Sequence, residues 1–184
     1  MSGPSAAPDL PLPNWAYVPG ETADAEADHE TLWQAKALVP SRFRGYVPAR
    51  HPALRYGITL NDSGYFWECQ EILEAVWAAA PQDGRERILL RTCIQIASAN
   101  LRLRMHKPHA AARLLGEALA ELNALGLRKA TAAGDGFADG FPTTALAELL
   151  KAKLAQPALS MADWVKLGSV GPNMKQNADF GFFR

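Results

Sequence analysis

From residue 53 to residue 126 the apolar positions recur with the period of an α-helix. In 108–125, Leu114, Leu115, Ala118, Leu119, Leu122 and Leu125 form a stripe along one face. Pro108 suits the first turn of that helix, and Gly126 is placed to end it at the C′ position. Residues 85–105 carry Leu89, Leu90, Cys93, Ile96 and Leu103 at helical spacing, after a turn at Pro81-Gln82-Asp83-Gly84. Upstream, a helix begins near Leu54, pauses at Asn61-Asp62-Ser63-Gly64 and resumes through Trp77, with Asn61 or Ser63 as the cap of the resumed helix.

Outside that stretch the pattern weakens. Residues 1–20 are rich in proline, which fixes φ and lacks a donor, so they predict an extended arm carrying Trp15 and Tyr17. Residues 24–38 predict a short helix ended by Pro40, and 40–56 read as loop. Residues 131–142 read as loop, and Thr143 or Thr144 is expected to cap a helix over 145–155. A short segment at 160–167 precedes a Gly/Pro/Asn loop and the tail Phe180-Gly181-Phe182-Phe183-Arg184, whose three aromatics are expected to dock. No run of alternating β-branched residues is long enough for a sheet. The fold class is therefore all-α: a small helical bundle with a proline-rich extended N-terminal arm and an irregular C-terminal tail. We divide it into an arm with one short helix (1–52), a helical core (53–126) and a C-terminal helix and tail packed on that core (127–184).

The segment 64–77 is unusual for its mixture of groups. At 100° per residue, Phe66, Gln70, Leu73, Glu74 and Trp77 share one side, with Trp67 at its edge. A carboxamide and a carboxylate then stand among large apolar groups, where buried polar atoms need partners. Phe66, Leu73, Trp77, Ile94, Leu114, Leu115 and Leu122 are expected to share one core.

Composition narrows the function classes. The 184 residues carry 19 basic and 19 acidic side chains, a formal net charge of zero, which argues against a dedicated nucleic-acid or anionic-membrane binder. No apolar run approaches a membrane span, and the first residues do not read as a signal peptide, so a cytoplasmic location is the default expectation. Cys69 and Cys93 sit in apolar helical patterns without a CxxC pair and read as two buried thiols. No P-loop, dinucleotide fingerprint, nucleophile elbow or zincin motif is present.

Gly64, Phe66, Trp67, Glu68, Glu71, Leu73, Glu74 and Trp77 match a helix of the form Gly-x-aromatic-aromatic-Glu-x-His-Glu-x-Leu-Glu-x-x-Trp. That helix resembles the bacterial and archaeal family called domain of unknown function 309. Two further runs support the resemblance: Leu90, Ile94, Gln95 and Ala97 in the next helix, and Pro108-His109-Ala110-Ala111-Ala112-Arg113-Leu114-Leu115 in the third. The resemblance implies a small all-α bundle and no particular activity. Gln70 stands where the family has histidine. A carboxamide neither binds metal nor shuttles protons as imidazole does, so no cofactor and no tightly bound transition metal are expected.

Two constellations carry candidate chemistry. Glu68, Glu71 and Glu74 lie three residues apart, with Gln70 and Glu74 as closer i,i+4 neighbours. Arg91, Gln95, Ser98 and Arg102 share one side of the following helix, and antiparallel packing would set Arg91 or Gln95 near Glu71 or Glu74. The candidate polar cluster is therefore Glu68, Gln70, Glu71, Glu74, Arg91, Gln95 and Arg102. The ordinary reading is a structural ion-pair network, because such networks imitate sites. Arg102, Arg104, Lys107 and Arg113, with His106 and His109, read as a solvated helix end. The leading expectation is a structural or protein-interaction domain with a polar core, forming a homodimer where an arm or tail crosses to a second copy. The alternative is a small-molecule-binding protein or a hydrolase-type enzyme using the Glu/Gln/Arg cluster between the two central helices.

Overall fold

The structure is a computed structural model that describes residues 10–23, 27–128 and 134–168. Among these residues it holds seven α-helices and no strand: α1 His29–Lys36, α2 Pro52–Asp62, α3 Phe66–Ala79, α4 Arg85–Arg104, α5 Pro108–Gly126, α6 Phe137–Gly140 and α7 Thr143–Leu154. A 3₁₀ turn, Met161–Asp163, follows. No helix among the described residues is long and apolar enough to cross a membrane.

The central helix is α4. It packs against α3 on one side and α5 on the other; α2 covers α3, α7 covers α5, and α1 rests on α2 and α3. The stripes that predicted these helices are the faces that meet. Leu89, Leu90, Cys93, Ile96 and Ala97 of α4 share a core with Ile72, Leu73 and Val76 of α3 and with Leu115, Ala118, Leu122 and Leu125 of α5. Cys69 and Cys93 are both buried free thiols in that core, and burial pushes each thiol well above its ordinary range. Gly57 marks a close approach between α2 and α3, since a Cβ there would lie 2.7 Å from Leu73 Cδ2. Gly64 turns the chain from α2 into α3 with φ +91°, a conformation that L side chains rarely adopt.

Several local expectations change. Neither Asn61 nor Ser63 caps α3: Tyr65 is its N-cap without a side-chain bond, Ser63 ends α2, and Asn61 is buried inside α2. Gly126 is the last residue of α5, and Leu127 is the C-cap, so no left-handed glycine closes that helix. Thr143 and Thr144 are the first residues of α7 and not its cap, which is Pro142. Residues 137–140 fold as α6 within the expected loop, because Phe137 and Phe141 stack edge to face and are buried. The helix expected over 24–38 is α1, begun by Asp28, whose carboxylate accepts the Thr31 N–H at 3.1 Å.

The expected core divides. Leu73, Leu115 and Leu122 are buried in the main core, whereas Trp77, Ile94 and Leu114 are only partly buried against it. Phe66 belongs to a smaller cluster with Val18 and Leu101, where the N-terminal arm crosses α3 and α4. The arm thus lies on its own chain. Tyr17 packs edge to face on Trp67, Glu21 pairs with Arg104 at 3.0 Å, and the Pro11 carbonyl accepts the Tyr56 hydroxyl at 2.7 Å. Tyr17 is half-buried there, whereas Trp15 remains 55% exposed. The phenylalanine tail lies outside the described residues.

Candidate functional site

The seven residues of the expected cluster do not form one network. Glu71 pairs with Lys36 of α1 at 2.8 Å. Arg91 pairs with Glu121 of α5 at 2.7 Å, and not with an acid of α3. The Gln70 side chain donates to the Phe66 carbonyl of its own helix at 3.3 Å. Arg102 is half-buried and approaches Met105 Sδ at 4.0 Å. Gln95 holds a buried side-chain oxygen with no hydrogen-bond partner. Glu74 is exposed, which corrects its assignment to the covered face of α3. The helix turns Phe66, Cys69, Leu73 and Val76 inward, and its buried acid is Glu68, 1% exposed.

Glu68 is covered by the arm. Its two carboxylate oxygens accept the Tyr17 N–H at 3.1 and 3.3 Å. Burial pushes its carboxyl up to about 7, against the opposing pull of the Tyr17 and Glu68 N–H groups, and the nearby charges of Asp28 and Glu71 push the same way as burial. Among the described residues no three His, Cys, Asp or Glu side chains group as metal ligands.

A second polar assembly is absent from the sequence reading. Asn61 of α2 and Asn100 of α4 are both fully buried and joined by an Asn100 Nδ2 to Asn61 Oδ1 bond of 2.9 Å. They face the extended segment that follows the 3₁₀ turn. Asn100 Oδ1 accepts the Val165 N–H at 2.7 Å, and Asn100 Nδ2 donates to the Val165 carbonyl at 2.8 Å. Asn61 Nδ2 donates to the same carbonyl at 3.0 Å. One carboxamide therefore reads both polar atoms of one residue's backbone, as a neighbouring strand would.

Asp62 continues the grip, with Oδ1 accepting the Leu167 N–H and Oδ2 the Gly168 N–H, both at 2.6 Å. Burial raises the Asp62 carboxyl, while those two N–H groups, the Asn61 amide and the Lys166 charge hold it down. A Cβ on Gly168 would lie 2.5 Å from Asp62 Oδ2, so this close approach needs glycine. Between the main-chain bonds, the Val165 and Leu167 side chains are fully buried in the core, and Trp164 packs edge to face on Phe66.

Asn61 and Asn100 carried a sequence signal that went unread. Each is a polar residue in an apolar helical stripe: Leu54, Gly57, Asn61 in one and Ile96, Asn100, Leu103 in the other. Glu86 is a further missed buried acid, 1% exposed at the start of α4 with one oxygen unpartnered, and its carboxyl is raised by burial.

The arrangement defines an all-α protein whose helical bundle holds the flanking chain by its main-chain atoms. Residues 54–114 match the family model described as Domain of unknown function (DUF309). That span holds Asn61, Asp62, Glu68 and Asn100, whereas the segments they grip, at Tyr17 and at Val165 to Gly168, lie outside it. No curated protein and no solved structure matches the chain.

Proposed function

We propose that this chain is a protein-interaction module whose family-matched helices receive extended chain segments through their main chain. The observation that supports the reading is the pair of hydrogen bonds by which the buried Asn100 carboxamide accepts the N–H of Val165 and donates to its carbonyl. Two buried asparagines beside a carboxylate are costly in a core unless something pairs with them. Here the partner is peptide backbone from outside the family-matched span. Backbone recognition gives affinity, and the apolar slots under Val165 and Leu167 give preference for branched aliphatic side chains. The same recognition offers a route to a homodimer, with the 159–168 segment of one copy seated in the cleft of another.

The test uses the full chain with Val165→Asp, which expels the resident segment. A fluorescent peptide of sequence 158–168 is added, and its anisotropy is followed. Binding to this variant, with loss when Asn100→Ala is added, is the expected result. A folded Val165→Asp variant, verified by circular dichroism, that leaves the peptide free contradicts the reading.

A further inference from the structure

The turn Pro81–Gly84 joins α3 to α4 and borders two cavities, of about 200 and 280 Å³, that share Gln82. The first is walled by Trp77, Asp83, Arg87, Arg91 and Arg128. The second is more apolar, with Phe43, Ala78 and Pro81, and Arg42 on its wall. A chain of zero formal net charge thus gathers four arginines around one turn, against Asp83 as the one carboxylate among the residues lining the two cavities.

The arginines differ in what already holds them. Arg91 is engaged by Glu121. The Arg87 guanidinium lies 4.0 Å over the Trp77 ring, and its Nη1 donates to the Trp77 and Ala80 carbonyls at 3.1 and 3.0 Å. Those bonds fix the group in place but leave its charge without a carboxylate among the described residues, and leave Nη2 and Nε free to donate. Arg128 reaches the Asp83 carbonyl at 3.5 Å and likewise has no carboxylate partner among the described residues. Planar guanidinium groups, one of them held by carbonyls and by an aromatic face, suit the oxygens of a phosphate.

We infer that this pair of cavities is a binding site for a small phosphate monoester, with the phosphate between Arg87 and Arg128, beside the Glu121-paired Arg91, and its organic group against Ala78 and Pro81. The site is separate from the Asn61–Asn100 cleft and does not depend on its role. Inorganic phosphate and phenyl phosphate are the probes, each titrated into the full chain at constant ionic strength set with chloride, with Trp fluorescence and amide NMR shifts as readouts. Saturable shifts at Trp77 and at the Gln82–Gly84 amides are expected, with phenyl phosphate binding several-fold more tightly. Arg128→Gln, an exposed position, is expected to weaken both probes at least about tenfold, the effect of one lost charge-assisted contact of 1.4 kcal/mol. Arg104→Gln, on an exposed pair elsewhere, should change neither. Absence of a saturable shift, or equal weakening by both variants, overturns the site. Equal affinity for the two probes overturns the place given to the organic group.

Discussion

Asn61 and Asn100, 39 residues apart in sequence, meet at 2.9 Å in the core and close together on the carbonyl of Val165. Neither asparagine is satisfied without the other and without that segment. The pair therefore links α2 and α4 to the chain that follows α7. Asn100→Ala strips the Val165 N–H of its acceptor and Asn61 of its donor. It is expected to lower stability by about 1–3 kcal/mol for each buried group left unpaired. Urea unfolding followed by circular dichroism measures it, and an unchanged midpoint would mean that the bonds contribute nothing.

The contact of Gly57 with Leu73 predicts non-additivity. A methyl on Gly57 meets Leu73 Cδ2, so Gly57→Ala should cost about 1–3 kcal/mol by overpacking. Leu73→Ala should cost about 2–5 kcal/mol by leaving a cavity. In the double variant the new methyl occupies space that Leu73 vacates, and the loss should be smaller than the sum. Chemical denaturation of the four proteins closes the cycle; additive losses would show that the two side chains do not compete for one volume.

Glu68 sets a pH dependence of definite sign. Its carboxyl titrates near 7 in the folded protein against an ordinary value of 4.5, so between those values the folded state holds a proton that the unfolded state has released. Stability contributed through this group therefore falls as pH rises from about 4.5 to about 7 and stays lower above that. Glu68→Gln keeps an acceptor for the Tyr17 N–H and removes the charge. It should raise the melting temperature above neutral pH and flatten the profile, leaving the smaller slopes of the same sign from Asp62, Glu74 and Glu86 and one of opposite sign from His51, whose imidazole burial lowers. A variant less stable than the parent at mildly alkaline pH would refute the assignment.

Gln95 offers a test of the polar cluster expected between α3 and α4. Its buried oxygen is unpaired, so Gln95→Met, which keeps the length and drops the acceptor, should be neutral or stabilising by up to about 1 kcal/mol. A loss above that size, read from thermal melts, would point to a partner bound at that oxygen.

The parts of the fold legible in the sequence are those set by local period. The stripes of α4 and α5 define the two longest helices to within a residue or two, because burial on one face needs only the helix repeat. What escaped depends on chain far away. Glu68 is buried because Tyr17, 51 residues earlier, lies over it, and helical geometry alone favoured Glu74 for that place. Asn61 looks like a cap because asparagine suits that position, yet its carboxamide is taken by Asn100 and Val165. Arg91 points to α5 and not to α3, a choice between two faces of one helix that spacing does not make. The family resemblance, in contrast, was readable from a single helix, and the family match covers residues 54–114.

Native-state hydrogen exchange at Val165, Leu167 and Gly168 tests most directly whether the 165–168 segment is a docked occupant of the helical bundle. These three amides are expected to be protected, to open together at a lower free energy than the buried amides of α4, and to be exposed by Asn100→Ala while α4 stays protected. Exchange of the three amides only through the same global unfolding that exposes α4 would contradict this, because the segment would then be an inseparable part of the core.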